Sequence, residues 1–362
     1  MRQSQQTYPS DEIYYFNAHR PSETVLALKD RYLAFSQIRD EVIRGIFEEK
    51  GYEIRNIKLN ENSFGTGHVI YFIETQKWEL VYRWNVWLET SEHYMSLEKG
   101  FTDLAKIAWF PTNELLESDT TRLKFDFDYQ IMKVLPGLDL ETQWNGTKED
   151  YDKLSYELGK YIALEYKMPV EWWWRFQNQP DRLQGAKNSA FEYLTAYLDY
   201  DLNVLQEAWI FDEKARNFIL NHFESIKPII NKDRQAYLVH HDLADHNIRY
   251  NPDNHKILAL YDWENAVAFD PISEIGSAPT WVCHYPRAEQ LKQWFLNQLW
   301  FKPEYFDEKI AIYFLRTMLW KMTFAVKGKR LSERHQQLLN TAFKQNNLKI
   351  DWLYWVKWII EI

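Results

Sequence analysis

The chain changes its hydrophobic period part-way along, and that change restricts the folds open to it. Residues 22–50 carry "LALKDRYLAFSQIRDEVIRGIFEEKG", with apolar side chains at helical spacing and a stop at Gly51. The next three segments, "YEIRNIKLN", "GHVIYFIET" and "WELVYRWNVW", alternate apolar and polar residues and are rich in Val, Ile and Tyr. They predict strands near 53–60, 68–75 and 79–86, with another over 122–134. A helix is expected in "SEHYMSLEKGFTDLAKIAW". Pro136-Gly137 then punctuates the chain; from about 147 to 232 the period is mostly helical, and from about 287 onward it is helical again. Two short apolar strands, "AYLVHHD" and "KILALYDW", read as a pair inside this helical half. Runs of strands followed by runs of helices argue for α+β rather than α/β. The expected division is 1–136 and 137–362, with ligands in the cleft between.

Size and composition allow two such lobes. The chain has 362 residues, 46% hydrophobic and 17% aromatic, enough for two cores with rings left over to line a pocket. Net charge is -9 and no Lys/Arg block stands out, which disfavours a nucleic-acid partner. The single cysteine, Cys283, excludes a disulfide framework and a CxxC zinc site. There is no 18-residue apolar run and no apolar stretch in "MRQSQQTYPSDEIYYF", so neither a membrane span nor a secretory signal is expected. The expectation is a cytoplasmic monomer or homodimer, with "DWLYWVKWIIEI" as a docking helix. Residues 191–280 hold about twice as many acids as bases, among them Asp199, Asp201, Glu207, Asp270 and Glu274. This is either a solvated face or an attraction for a cationic ligand.

The chemistry concentrates in "HHDLADHN" and the strand after it. Asp and Asn make turns by bonding their own backbone, as "NPDN" at 251–254 does, so one reading of the loop is purely structural. A metal-dependent hydrolase is a second reading, but it needs further ligands, and His222 is the only histidine close upstream. Phosphoryl transfer is the third. Asp242 follows a strand and can accept a hydroxyl proton. Asn247 and Asp262 offer hard oxygens, which suit magnesium, at two neighbouring strand ends.

"HHDLADHN" followed by "LALYDWENAVAFDPISEIG" resembles the aminoglycoside phosphotransferase family. That family's pattern is His-x-Asp, four residues, Asn, then a strand ending Asp-Trp and a Gly/Ala-Asp-Pro turn. His240, Asp242 and Asn247 match the first part; Asp262, Trp263, Asp270 and Pro271 match the second. The resemblance implies a bilobal protein-kinase-like fold, with a small five-stranded antiparallel N-lobe and a larger, mainly helical C-lobe. It also implies an enzyme using magnesium and ATP or GTP to phosphorylate a small-molecule hydroxyl. Asp242 would be the catalytic base, Asn247 and Asp262 the metal ligands, and His240 a brace for the loop. His241 stands where that family usually has Gly.

The same resemblance assigns the nucleotide site. Asn62, Ser63, Phe64 and Gly65 in "ENSFGTGH" would cover the phosphates. Arg83 would take the phosphates where protein kinases use Lys, with Glu98 as its acidic partner and Glu92 as the runner-up. The backbone of Met132, Lys133 and Val134 would bond the base. A fifth strand is expected near 106–118, although Pro111 falls inside that window. Asp270, Glu274, Trp281, His284 and Tyr285 would border the acceptor. "SAFEYLTAYLDYDLNVLQ" is similar to the helix before the catalytic loop of hygromycin-type phosphotransferases, which points to an aminoglycoside-like acceptor and antibiotic resistance. A choline- or sugar-like metabolite, a natural-product intermediate, a non-catalytic kinase-like binding protein and the metal hydrolase stand as alternatives. "EWWWRF", with Trp172 to Trp174, reads as packing.

Overall fold

The computed structural model describes residues 39–60, 68–85, 94–125, 127–176, 183–299, 301–327 and 331–348. The helix expected before Arg39, the loop with Asn62, Ser63, Phe64 and Gly65, Glu92 and the Trp-rich C-terminal stretch lie outside these residues.

The N-terminal half is a helix on a sheet. Helix α1 (Arg39–Glu49) buries Ile43, Ile46 and Phe47, three and four residues apart on one face. Strands β1 (Ile54–Leu59), β2 (His68–Thr75) and β3 (Glu79–Asn85) follow. β2 shows the period of two that its sequence carries: Val69, Tyr71 and Ile73 point inward and are almost fully buried. Helix α2 (Tyr94–Ile107) precedes β4 (Leu115–Asp119) and β5 (Tyr129–Lys133), completing an antiparallel sheet in the order β1-β2-β3-β5-β4. Two strand expectations change. The fifth strand forms beyond Pro111 rather than across it, and the Pro111 carbonyl instead accepts from Leu260 N at 2.8 Å. The strand expected over 122–134 shrinks to β5, because Arg122 turns left-handed (φ 52°) and its guanidinium grips the buried Asp128 at 2.7 and 2.8 Å.

Gly137 opens the second half. Its φ is +81°, and a Cβ there would lie 2.3 Å from Tyr250 O, so only glycine lets the chain pass. Strand β6 (Leu138–Asp139) leads into helices α3 (Leu140–Gln143) and α4 (Lys148–Leu164). α4 begins with a capping box between Thr147 and Asp150. Strands β7 (Pro169–Val170), β8 (Trp173–Phe176) and β9 (Gly185–Lys187) come next, then helices α5 (Ala190–Thr195), α6 (Leu198–Glu207) and α7 (Glu213–Ile230). Strands β10 (Ala236–Val239), β11 (Ile248–Tyr250), β12 (Ile257–Leu260) and β13 (Val267–Phe269) are followed by helices α8 (Ile272–Ser277), α9 (Ala288–Leu299), α10 (Phe306–Lys327) and α11 (Glu333–Gln345). The two apolar strands expected as a pair belong to different sheets. β10 lies in β7-β10-β13-β8-β9, and β12 in β12-β11-β6. The segment 240–247 therefore passes from one sheet to the other.

Two apolar cores result. One joins α1 to the first sheet; the other joins the helical half and also takes Leu97, Phe101 and Ala105 from α2. Fully buried Leu158 and Ile162 of α4 belong to the second core with Leu291 and Phe295 of α9, each such side chain contributing roughly 1.5–3 kcal/mol. Trp173 is buried there against Phe269, as the packing reading expects, while Trp172 stands 47% exposed. No helix among the described residues is long and apolar enough to cross a membrane.

Candidate active site

β10 delivers the loop 240–247 to the junction of the two sheets, and two buried glutamates fix its entry. His240 N donates to Glu165 Oε1 at 3.1 Å, and His241 N donates to Glu274 Oε1. Both carboxyls are fully buried, and burial pushes both pKa values up, Glu274 to about 8. Their Oε2 atoms have no hydrogen-bond partner among the described residues. His241 sits at φ 65°, where glycine fits without strain. The His240 Nε2–H group donates to Tyr261 O at 2.9 Å, its ring lies 4.6 Å from Trp263, and burial lowers its pKa to about 4, so it is a neutral brace.

Asp242 follows. Burial alone would raise its pKa, but the hydrogen bond and charge of His246, with the charge of Lys321, hold it below the usual carboxylate range. Asn265 Nδ2 donates to Asp242 Oδ2 at 3.2 Å. The far end of the loop is clamped by Asp245, which accepts from Arg287 at 2.8 Å, from Tyr151 Oη at 2.7 Å and from His284 N at 2.8 Å.

Asn247 and Asp262 meet because β11 and β12 pair, Ile248 opposite Leu260, and Tyr261 N donates to Asn247 O at 3.1 Å. Asn247 Nδ2 donates to Asp242 O at 2.8 Å, so its amide is oriented with the carbonyl oxygen as the remaining ligand atom. Asp262 is left-handed (φ 68°, ψ 66°) with its side chain 31% exposed. An amide oxygen and a carboxylate fit a magnesium ion that keeps waters and shares phosphate oxygens. Among the described residues no group of three or more His, Cys, Asp and Glu could hold a metal. His222, which the hydrolase reading would recruit, bonds Asn346 Oδ1 at 3.1 Å instead.

Arg83 comes from β3, 7% exposed. It forms an ion pair with Glu98 of α2, donates from Nε to Gln130 Oε1 at 2.6 Å, and lies 3.9 Å from Asp262 Oδ1. Gln130 stands opposite Arg83 in the β3–β5 register and anchors itself on Met95 O at 3.0 Å. The hinge differs from expectation. Lys133 N donates to Glu114 O and Val134 N to Glu79 O, so these two N–H groups belong to the sheet and are not available to a base. Met132 is buried, its sulfur 3.6 Å from Asn113 Nδ2.

A pocket of about 210 Å³ opens beside Asp242. Trp281, Trp320 and Phe324 give it aromatic walls; Ser277, Thr280 and Thr317 add hydroxyls, and Lys321 adds a cation. Of the expected acceptor residues, Trp281 alone is in this lining. Asp270 is 4% exposed and is engaged by Lys309 at 3.1 Å, Tyr313 at 3.0 Å and Ile272 N at 3.0 Å. It secures the start of α8, and its expected acceptor role gives way to that structural one. Glu274 faces the loop backbone, His284 bonds Leu140 O at 2.8 Å, and Tyr285 packs on Tyr151 at 5.4 Å. Asn265, Gln130 and Lys321 were missed by sequence reading. The signal for Lys321 was a single cation inside the apolar run "TMLWKMTFAV". Asn265 and Gln130 had none, since each acts through a neighbour distant in sequence.

A five-stranded antiparallel sheet and a mainly helical second half define a protein-kinase-like scaffold. The model of the phosphotransferase enzyme family, APH, matches residues 100–307, and the chain belongs to that family of small-molecule phosphotransferases. Solved structures agree in fold at low identity. A thermostable mutant of aminoglycoside phosphotransferase APH(4)-Ia, in ternary complex with ADP and hygromycin B, superposes with TM-score 0.60 and 14% identity over 85% of this chain and 98% of its own. The APH(2")-IIa structure with streptomycin and ATP gives 0.57 and 12%, over 84% and 96%. A putative fructosamine-3-kinase from Haemophilus somnus 129PT gives 0.55 and 14%, over 84% and 96%. No curated protein matches the sequence.

Proposed function

We propose that this chain transfers the γ-phosphate of ATP, with GTP as the alternative donor, to an alcohol hydroxyl of a small molecule. The lobes would meet at Pro136–Gly137. The observation that carries the reading is the linkage of three segments: the loop with Asp242 and Asn247, Asp262 after β12, and Arg83 of β3, joined by Asn247 Nδ2 to Asp242 O, Tyr261 N to Asn247 O and the 3.9 Å approach of Arg83 to Asp262. In the reaction the acceptor oxygen forms a bond to the γ-phosphorus as the bond to the β-phosphate oxygen breaks. ADP leaves with that electron pair, and the hydroxyl proton goes to Asp242. With its pKa held low, Asp242 is a weak base, so it orients the hydroxyl first and takes the proton late. Arg83, fixed by Glu98 and Gln130, binds the donor's phosphates as a cation. Asn247 and Asp262 would hold magnesium, which neutralises phosphate charge when bound. Since Lys133 N and Val134 N are engaged in the sheet, base recognition falls to hinge carbonyls and to Leu135 N, the next donor before Pro136.

Asp242→Asn tests the reading. Transfer from ATP to acceptor, or to water as basal hydrolysis, should fall about 10²–10⁴-fold while ATP affinity is kept. Unchanged turnover would remove Asp242 from the chemistry, and failure of the wild type to bind nucleotide would remove the kinase assignment and favour a non-catalytic binding protein.

A further inference from the structure

The acids once expected to attract a cationic acceptor are engaged elsewhere. Asp199 pairs with Arg216, Asp201 with Arg316 at 2.8 Å and Asp270 with Lys309, while Glu207 borders a separate groove beside Trp209. Glu274 braces the loop backbone. Among the described residues lining the pocket, the only carboxylate is Asp242.

α10 supplies the opposing charge. Thr317, Lys321 and Phe324 recur at i, i+4 and i+7, with Trp320 beside them, so one helix face forms the wall shared with Asp242. Gly276 lets α10 approach this closely, since a Cβ there would lie 2.7 Å from Tyr313 Cβ. Lys321 Nζ donates to Thr280 O at 2.9 Å, one of the three bonds an ammonium can make. Arg334 donates to Trp281 O at 2.8 Å, bringing a second cation behind the same wall. Burial lowers the Lys321 pKa to about 8, which leaves it charged at neutral pH. A half-buried ammonium lining a pocket, with one of its three donors used, can bind an anion there. The anion next to it, Asp242, has to be free to receive the acceptor's proton.

Resting on the phosphotransferase reading, we propose that the acceptor is a small hydroxylated acid, an alcohol whose carbon frame also carries a carboxylate. Lys321 binds the carboxylate, Trp281, Trp320 and Phe324 cover the carbon frame, and the hydroxyl lies on Asp242. The pocket's 210 Å³ is below the roughly 300–1,000 Å³ of clefts that take drug-sized ligands, which suits a single-ring or open-chain metabolite.

Transfer from MgATP should be measured with matched pairs: gluconate and glucose, glycerate and glycerol, 4-(hydroxymethyl)benzoate and 4-methylbenzyl alcohol. Hygromycin B and streptomycin serve as cationic members. The acid of a productive pair should exceed its neutral partner about tenfold or more in kcat/KM. In Lys321→Met the acid's KM should rise roughly 10- to 100-fold, the range of a charge-assisted hydrogen bond, while the neutral partner's KM moves less than about threefold. Lys321→Arg should keep the preference. A wild-type preference for the cationic members overturns the proposal and leaves the kinase standing. So does an equal loss on acid and neutral partner in Lys321→Met, because Lys321 would then act only by holding Asp242 ionised. Should no compound be phosphorylated, the same pairs are titrated into the ADP-bound protein by tryptophan fluorescence. Acid-selective binding that Lys321→Met abolishes supports the proposal, and no acid selectivity overturns it. Failure of the phosphotransferase reading shows separately, as ATP hydrolysis that Asp242→Asn leaves intact or as no ATP binding at all.

Discussion

At the scale of single residues, Asp242 depends on neighbours in both motif segments and on Lys321, which lies far outside them. His246 and Lys321 hold its pKa below the usual carboxylate range, and Asn265 Nδ2 donates to its Oδ2. Asn265→Ala removes one hydrogen bond to a charged group, worth about 1.5–3 kcal/mol. Part of that is recovered by water at a half-open site, so kcat should fall about tenfold with the nucleotide KM unchanged. A kcat equal to wild type would show that Asn265 does not orient the base. Arg83 has a comparable dependence. Its guanidinium serves Glu98, Gln130 and the Asp262 side at once, and a lysine cannot span three partners from one point charge. Arg83→Lys should therefore raise the ATP KM by about tenfold, and a KM that does not move would place phosphate binding elsewhere.

At the scale of elements, α4 ends just ahead of Glu165 and α8 carries Glu274, and their carboxyls reach the same turn from opposite sides. This arrangement makes stability depend on pH. Glu274 titrates near the ordinary 4.5 in the unfolded chain and at about 8 in the folded one, so folding holds a proton across that window. Its stabilising contribution is complete below the unfolded value and is lost as pH rises through the folded one. The wild-type Tm should accordingly fall from about pH 6 to about pH 9 more steeply than that of Glu274→Gln, whose amide cannot ionise. Parallel slopes would mean that the carboxyl is already ionised in the native protein. Glu165, raised by burial and by the charge of Glu274, adds to the fall in the same direction.

At the scale of the whole molecule, Arg83 of the first sheet and Asp262 at the end of β12 face each other across 3.9 Å, and a nucleotide with its metal would tie the two cores at that point. Ligand at about 100 times Kd adds about 2.7 kcal/mol of stability, several degrees in Tm for a protein of this size. ATP with magnesium should raise Tm more than ATP with EDTA in the wild type, and Asp262→Asn should erase that difference. A magnesium-dependent shift that survives the substitution would exclude Asp262 as a ligand.

From the sequence by itself, the first three strands, the helix of Glu98 and a candidate set of site residues could be read. Period-two alternation marked β2 to the residue, because each side chain of a strand reports its own face. His240, Asp242, Asn247 and Asp262 were legible because they lie within 23 residues of one another on consecutive strand ends. Arg83 and Glu98 were legible only through resemblance, and the fold then brought them together. Tertiary structure alone decided the rest. Pairing partners placed β10 and β12 in different sheets, and sheet hydrogen bonds took the N–H groups of Lys133 and Val134. Burial turned Asp270 from a candidate contact for the acceptor into an anchor for Lys309. Lys321 lies 79 positions beyond Asp242 in the chain and reaches the same pocket because α10 packs across α8. Composition records how many charges a segment carries, but which of them neutralise one another depends on contacts between distant residues, and here those contacts removed the acids from the cleft and left a lysine in it.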